Sequence, residues 1–140
     1  MCDSLTNGLL ALIFNATTFA NIAINATSGP LTNLYVSGHT ADPGNAGSQT
    51  TSEVAYTSYA RVAVLRTSGG WTVTANSVSP VATISFPTGS GGSGTITYGG
   101  IGSLVSGAGV LYARGTVTPN IVTGNGITPQ FPTTSTFTLT

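Results

Sequence analysis

The chain has 140 residues, only 4% of them charged, with three acidic and three basic groups and a formal net charge of zero. An ordinary soluble domain carries about 25% charged residues, so the polar surface here must be made of Thr, Ser, Asn and Gly. With no Lys and no basic stripe, the composition excludes a phosphate-neutralising nucleic-acid binder, and 40% hydrophobic residues exclude charge-driven disorder. Such a surface offers little electrostatic repulsion. It suits a protein packed against copies of itself or against partners.

In chain order, the sole cysteine, Cys2, can form neither an intrachain disulfide nor a zinc site. Asp3 stands where a signal peptide would be basic, and the apolar run at 9–14 is short. The N-terminus therefore reads as an unprocessed, intracellularly made start, and no stretch approaches the ~20 apolar residues of a membrane span. Leu5, Leu9, Leu12 and Ile13 recur on one face of a helix, which predicts a helix over residues 4–14, capped by Asp3 or Ser4. Phe19, Ile22 and Ile24 then pin an extended connector, so residues 1–25 are expected to form a helical and extended arm.

Residues 26–140 read as strand and turn. Predicted strands cover 34–39, 59–66, 71–76, 81–86, 95–101 and 109–117, with further strands around Ile127 and at 134–139. Asp42-Pro43-Gly44 is a turn; residues 49–57 form a polar connector; residues 89–94 form a Gly/Ser loop. About eight short strands with frequent turn signals predict a mainly β fold. The expectation is a single antiparallel β-sandwich or jelly-roll-like barrel with a short N-terminal helix.

Few residues suggest chemistry. Gly89, Gly91 and Gly94 match a dinucleotide fingerprint, but strand rather than helix follows and no acidic residue lies beyond Glu53. His39 and Asp42 are too few for a metal site, and no nucleophile elbow accompanies them. His39 is expected to end a strand and Asp42 to cap a turn. Trp71 reads as a core filler before it reads as a sugar platform. No catalytic, metal or cofactor residues are assigned, and no enzymatic activity is expected. Arg61 and Arg66 share one predicted strand, so at least one faces core or interface. Glu53 is expected to pair with Arg61, or with an Arg of a neighbouring subunit.

LYVSGHTADPG at 34–44 and TSEVAYTSYARVAV at 51–64 are similar to the "LYVGLHTADPG" segment and the "EV…Y.GYARVAV" block of a family of small tailed-phage virion proteins. VATISFP at 81–87, GTITYGGI at 94–101 and GVLYARGTVTP at 109–119 resemble its "ITFP", "GTVTHFGI" and "LLYYGTLTTP" segments. Tyr98-Gly99 departs from a usual His-Phe pair, and Gly38 stands where a bulkier residue is common. The resemblance implies a virion structural protein. The favoured expectation is a capsid decoration (cement) protein that bridges capsomers on the shell exterior. Its partners would be the major capsid protein and copies of itself as a homotrimer, with no cofactor, nucleic acid or membrane insertion. The alternative is a tail fibre or adaptor that meets tail proteins or a host glycan. Candidate interface residues are Leu5, Leu9, Leu12, Ile13, Phe14, Phe19, Ile22, Glu53 and Arg61.

Overall fold

The computed structural model describes residues 3–18 and 31–138. A single helix, α1 (Asp3–Asn15), precedes nine strands among the described residues. These are β1 (Asn33–His39), β2 (Val62–Leu65), β3 (Trp71–Thr74), β4 (Ser77–Pro80), β5 (Ile84–Ser85), β6 (Ser93–Gly102), β7 (Leu111–Gly124), β8 (Gln130–Phe131) and β9 (Phe137–Thr138). Every pairing with a resolved register is antiparallel. The fold is mainly β with a short N-terminal helix, as the turn spacing and β-branched content led us to expect.

The chain divides into two compact units, each assembled from segments distant in sequence. Unit 1 comprises Met1–Leu34, Val64–Thr83 and Pro132–Thr140; unit 2 comprises Tyr35–Ala63 and Ile84–Phe131. Of the expected arm, residues 3–15 form α1 within unit 1, and Phe19, Ile22 and Ile24 lie outside the described residues.

In unit 1, α1 packs on the β3–β4 hairpin, to which β9 adds a third strand. The helix lies where its periodicity predicts it, but its buried stripe is Thr6, Leu10 and Phe14, not Leu5, Leu9, Leu12 and Ile13. Leu5 is exposed, and Leu9, Leu12 and Ile13 are half-buried on the shoulders of that stripe. Aromatic volume decides the rotation. Phe14 meets Trp71 edge-on at 5.0 Å between ring centroids, and both side chains are inside. The run expected as one strand over 71–76 turns back at Ala75-Asn76, where Thr74 pairs with Ser77. Ala75 takes a φ of 52°, a conformation usually signalled by Gly, Asn or Asp.

The C-terminus of α1 carries no basic residue of its own. Arg66 supplies one from the end of β2. Its Nε donates to the Ile13 carbonyl at 2.6 Å, Nη2 to the Leu12 carbonyl at 2.7 Å and Nη1 to the Leu31 carbonyl at 3.3 Å. A guanidinium there satisfies carbonyls that the helix leaves open and complements the negative end of its dipole.

Unit 2 is built on the sheet ordered β2–β1–β6–β7, to which β1 contributes residues 35–39 and β2 residues 62–63. Its interior holds Val36, Val54, Tyr56, Phe86, Ile96, Ile101 and Phe131. The predicted strand over 81–86 shrinks to β5, which pairs with β8. The strand expected over 95–101 is β6, which extends it by one or two residues at each end and runs through Gly94, Gly99, Gly100 and Gly102. Gly38 packs against Ile96, whose Cδ1 would lie 2.7 Å from an added Cβ.

Because Arg66 is buried and holds three carbonyls, Arg66→Ala should destabilise unit 1 by about 2–3 kcal/mol. Thermal unfolding followed by Trp71 fluorescence checks this. A variant that melts with the parent would remove the capping role.

Candidate functional site

The polar connector at 49–57 supplies part of a cluster of buried polar side chains in unit 2. Glu53 and Arg61 form a bidentate ion pair, Nε to Oε1 at 2.7 Å and Nη2 to Oε2 at 2.7 Å. The Arg61 side chain is 2% exposed and that of Glu53 15%. The remaining guanidinium donors reach backbone: Nη1 donates to the Leu104 carbonyl at 2.9 Å and Nη2 also to the Gly107 carbonyl at 2.8 Å. Tyr59 donates its hydroxyl proton to Glu53 Oε1 at 2.8 Å and accepts from the Gly38 amide at 3.2 Å. The hydrogen bonds that Arg61 donates to Glu53, ahead of the carboxylate's charge and against the effect of burial, hold the guanidinium protonated beyond the usual range for Arg. Burial, and then the Glu53 carboxylate, push the Tyr59 phenol far above its ordinary value. The pair forms within one chain, so of the two partners expected for Glu53 the structure shows Arg61.

Beside this pair, His39 ends β1 with no exposed surface. A carbonyl can only accept, so Nδ1 must carry the proton that it gives to the Thr51 carbonyl at 2.8 Å. In the neutral ring Nε2 then accepts from the Ser37 hydroxyl at 2.9 Å. Ser37 and His39 thus have the hydrogen bond of a nucleophile and its base, but both are fully buried, and no substrate carbonyl can approach Ser37. Gly100 makes room for the pair, since a Cβ there would lie 2.6 Å from His39 Nε2 and 2.8 Å from Ser37 Oγ. Desolvation lowers the His39 pKa, with the Thr51 bond and Glu53 opposing it.

Gln49, also fully buried, completes the cluster. Its Oε1 accepts from the Leu104 amide at 2.8 Å, its Nε2 donates to the Leu104 carbonyl at 3.3 Å, and its own amide donates to the Gly109 carbonyl at 3.1 Å. Added Cβ atoms at Gly102 and Gly109 would stand 2.2 Å and 2.3 Å from the Gln49 side chain. Glycine at both positions is therefore what admits Gln49.

Arg61 and Gln49 converge on residues 103–110, the loop joining β6 to β7. Ser103 closes its base: its amide donates to the Val110 carbonyl at 3.0 Å, and its Oγ accepts from the Val110 amide at 2.9 Å. Gly107 takes a φ of 79°. The backbone is held from within, while Leu104, Val105 and Val110, with Tyr112 just beyond, face outward.

Arg114 pairs with Asp42 and donates to Asn45 Oδ1 at 2.7 Å. Asp42 also accepts from the Gly44 amide at 2.8 Å, the turn-capping role expected of it. Of the other candidate residues, Phe14 is turned inward onto Trp71, Leu5 is exposed, and Leu9, Leu12 and Ile13 are half-buried. Phe19 and Ile22 lie outside the described residues. Trp71 is 1% exposed, so its face is closed to a sugar. Sequence reasoning missed Gln49 and the loop at 103–110. The glycines at 102, 107 and 109 were the available signal.

The profile of a protein family described as podophage GP4 fiber I protein gp80 matches residues 1–138. No curated protein matches the chain.

Two outcomes follow from the cluster. Arg61→Ala strands Glu53 and two loop carbonyls and should cost about 3–5 kcal/mol, measured by chemical denaturation; a loss below about 1 kcal/mol contradicts the buried pair. His39 titrates near 6.5 when unfolded and lower when folded. Between those values the unfolded chain binds more protons, so stability is complete above about 6.5 and falls as the pH drops through that window. Melting temperatures from pH 7.5 to pH 5 should show this slope and His39→Gln should flatten it; an equal slope in both proteins assigns the effect elsewhere.

Proposed function

From the premise that the chain belongs to this family of phage virion proteins, we propose that it is a non-enzymatic structural subunit of the fibre apparatus. The match over residues 1–138 carries this reading. The family's description names a fibre, and it moves the preference from the shell, favoured on sequence resemblance, to the tail. The geometry supports a structural role. Among the described side chains, those that could act as catalyst or charged ligand include several engaged inside the chain: Glu53 with Arg61, Arg66 with helix carbonyls, Arg114 with Asp42, and Ser37 with a buried His39. These 140 residues show no internal repeat of the kind that builds a shaft. The chain serves as an attachment or base element, present as symmetric copies of itself. Capsid decoration is the competing assignment, and stoichiometry separates the two. Tails have low cyclic symmetry and shells are icosahedral. Gel densitometry of purified virions against the major capsid protein should give at most a few tens of copies, whereas hundreds would transfer the protein to the shell.

Attachment by such a surface draws little on ion pairs. Raising NaCl from about 0.1 M to about 1 M shortens the Debye length from ~10 Å to ~3 Å and should leave the copy number unchanged. Release of the protein at high salt would contradict a neutral contact.

A further inference from the structure

We infer that the β6–β7 loop, residues 103–110, is the docking element of this subunit, an apolar knob that enters an uncharged apolar recess on another virion protein. The inference rests on the virion-subunit reading above and identifies the surface that reading requires. Leu104 is 47% exposed, Val105 59% and Val110 60%, and Tyr112 on the adjoining strand 45%. Scattered surface aliphatics need no explanation; three on one short loop do.

What sets this loop apart is how it is held. Exposed connections are ordinarily solvated and mobile. Here Arg61 donates to the Leu104 and Gly107 carbonyls, and Gln49 bonds both polar atoms of the Leu104 backbone. A buried Arg–Glu pair is seldom more stabilising than apolar side chains of the same volume. What it supplies here is one loop conformation, fixed before any partner arrives. Fixing it beforehand removes the ordering cost from the binding step.

The chemistry of the patch selects its occupant. Residues 103–112 include no charged side chain, and the ionic groups beneath them neutralise each other. A charged partner side chain would be desolvated there without a counter-ion. A lipid surface is poorly matched, because a few aliphatic side chains without basic neighbours bind membranes only marginally. The same loop of a second copy is also poorly matched. An isologous contact must be self-complementary, and four half-exposed side chains fall short of the ~800 Å² per partner of a stable pair. A recess in a different protein, engaged once per symmetric copy, gains strength by avidity.

The test uses phage propagated on cells that supply the variant subunit in place of the parent, with copies per virion as the readout. The double variant L104D/V105D should keep the parental melting temperature and lose at least tenfold in incorporation, while Val81→Asp, an equally exposed aliphatic outside the loop, incorporates normally. Gly107→Ala leaves every side chain of the patch in place but strains a left-handed position, and it should lower incorporation without unfolding the protein. Parental copy numbers for L104D/V105D would overturn the docking role, as would equal loss with Val81→Asp. Co-sedimentation of the parent with phosphatidylcholine vesicles would overturn the choice of a protein recess. Absence of the parent itself from virions would instead overturn the virion-subunit reading.

Discussion

The ion pair between Glu53 and Arg61 has few alternatives in a chain with six formal charges. Once the connector at 49–57 folds over β1, the carboxylate loses water and must find a cation, and Arg61 is the one within reach. Removing either partner leaves the other charged and buried. The surrounding hydrogen-bonding groups are ordered by the same requirement. Tyr59 fills a further position on Glu53 and ties it to the Gly38 amide. The remaining guanidinium donors have no second carboxylate, so they take backbone carbonyls from 104 and 107. The loop's shape is thus a consequence of satisfying a buried cation, not of its own sequence preferences.

Unit 1 meets the same problem with different means. Arg66 is buried without a carboxylate among its hydrogen-bond partners, and it is satisfied by carbonyls at the end of α1. The helix end supplies partial negative charge where no acidic side chain is among the described partners. In both units an arginine at a flank of β2 fastens a segment distant in sequence: α1 in one case, the β6–β7 loop in the other. An arginine suits both sites because its planar fork offers five donors and remains protonated.

Much of this was legible in the sequence. Strand content, the helix at the N-terminus, the turn at Asp42 and the burial of Trp71 follow from periodicity and turn chemistry, which are local signals. The rotation of α1 was not legible, because Phe14 outweighs the leucines only when Trp71 is its partner, across more than fifty residues. The hairpin at Ala75-Asn76 was hidden because a left-handed alanine carries no signature. The cluster around Arg61 was half legible. Charge scarcity alone suggested that Glu53 and Arg61 meet, but residues 49–57 looked like polar connector. Buried Gln49 can be recognised only with Gly102 and Gly109 in view, since those glycines make sense as space for a side chain that approaches from another segment.

Low charge is therefore a property of the surface more than of the interior. Among the described side chains, the charges are drawn inward or paired at the surface, and the outside is left to Thr, Ser, Asn, Gly and a few aliphatics. Such a surface gives up long-range steering, so association proceeds without electrostatic acceleration. For the virion subunit proposed above, which would join a particle once, that loss would matter little. Residence would then depend on close packing and on the number of repeated contacts. A loop whose backbone is set before contact fits that regime, because in permanent assembly conformational readiness counts for more than speed of encounter.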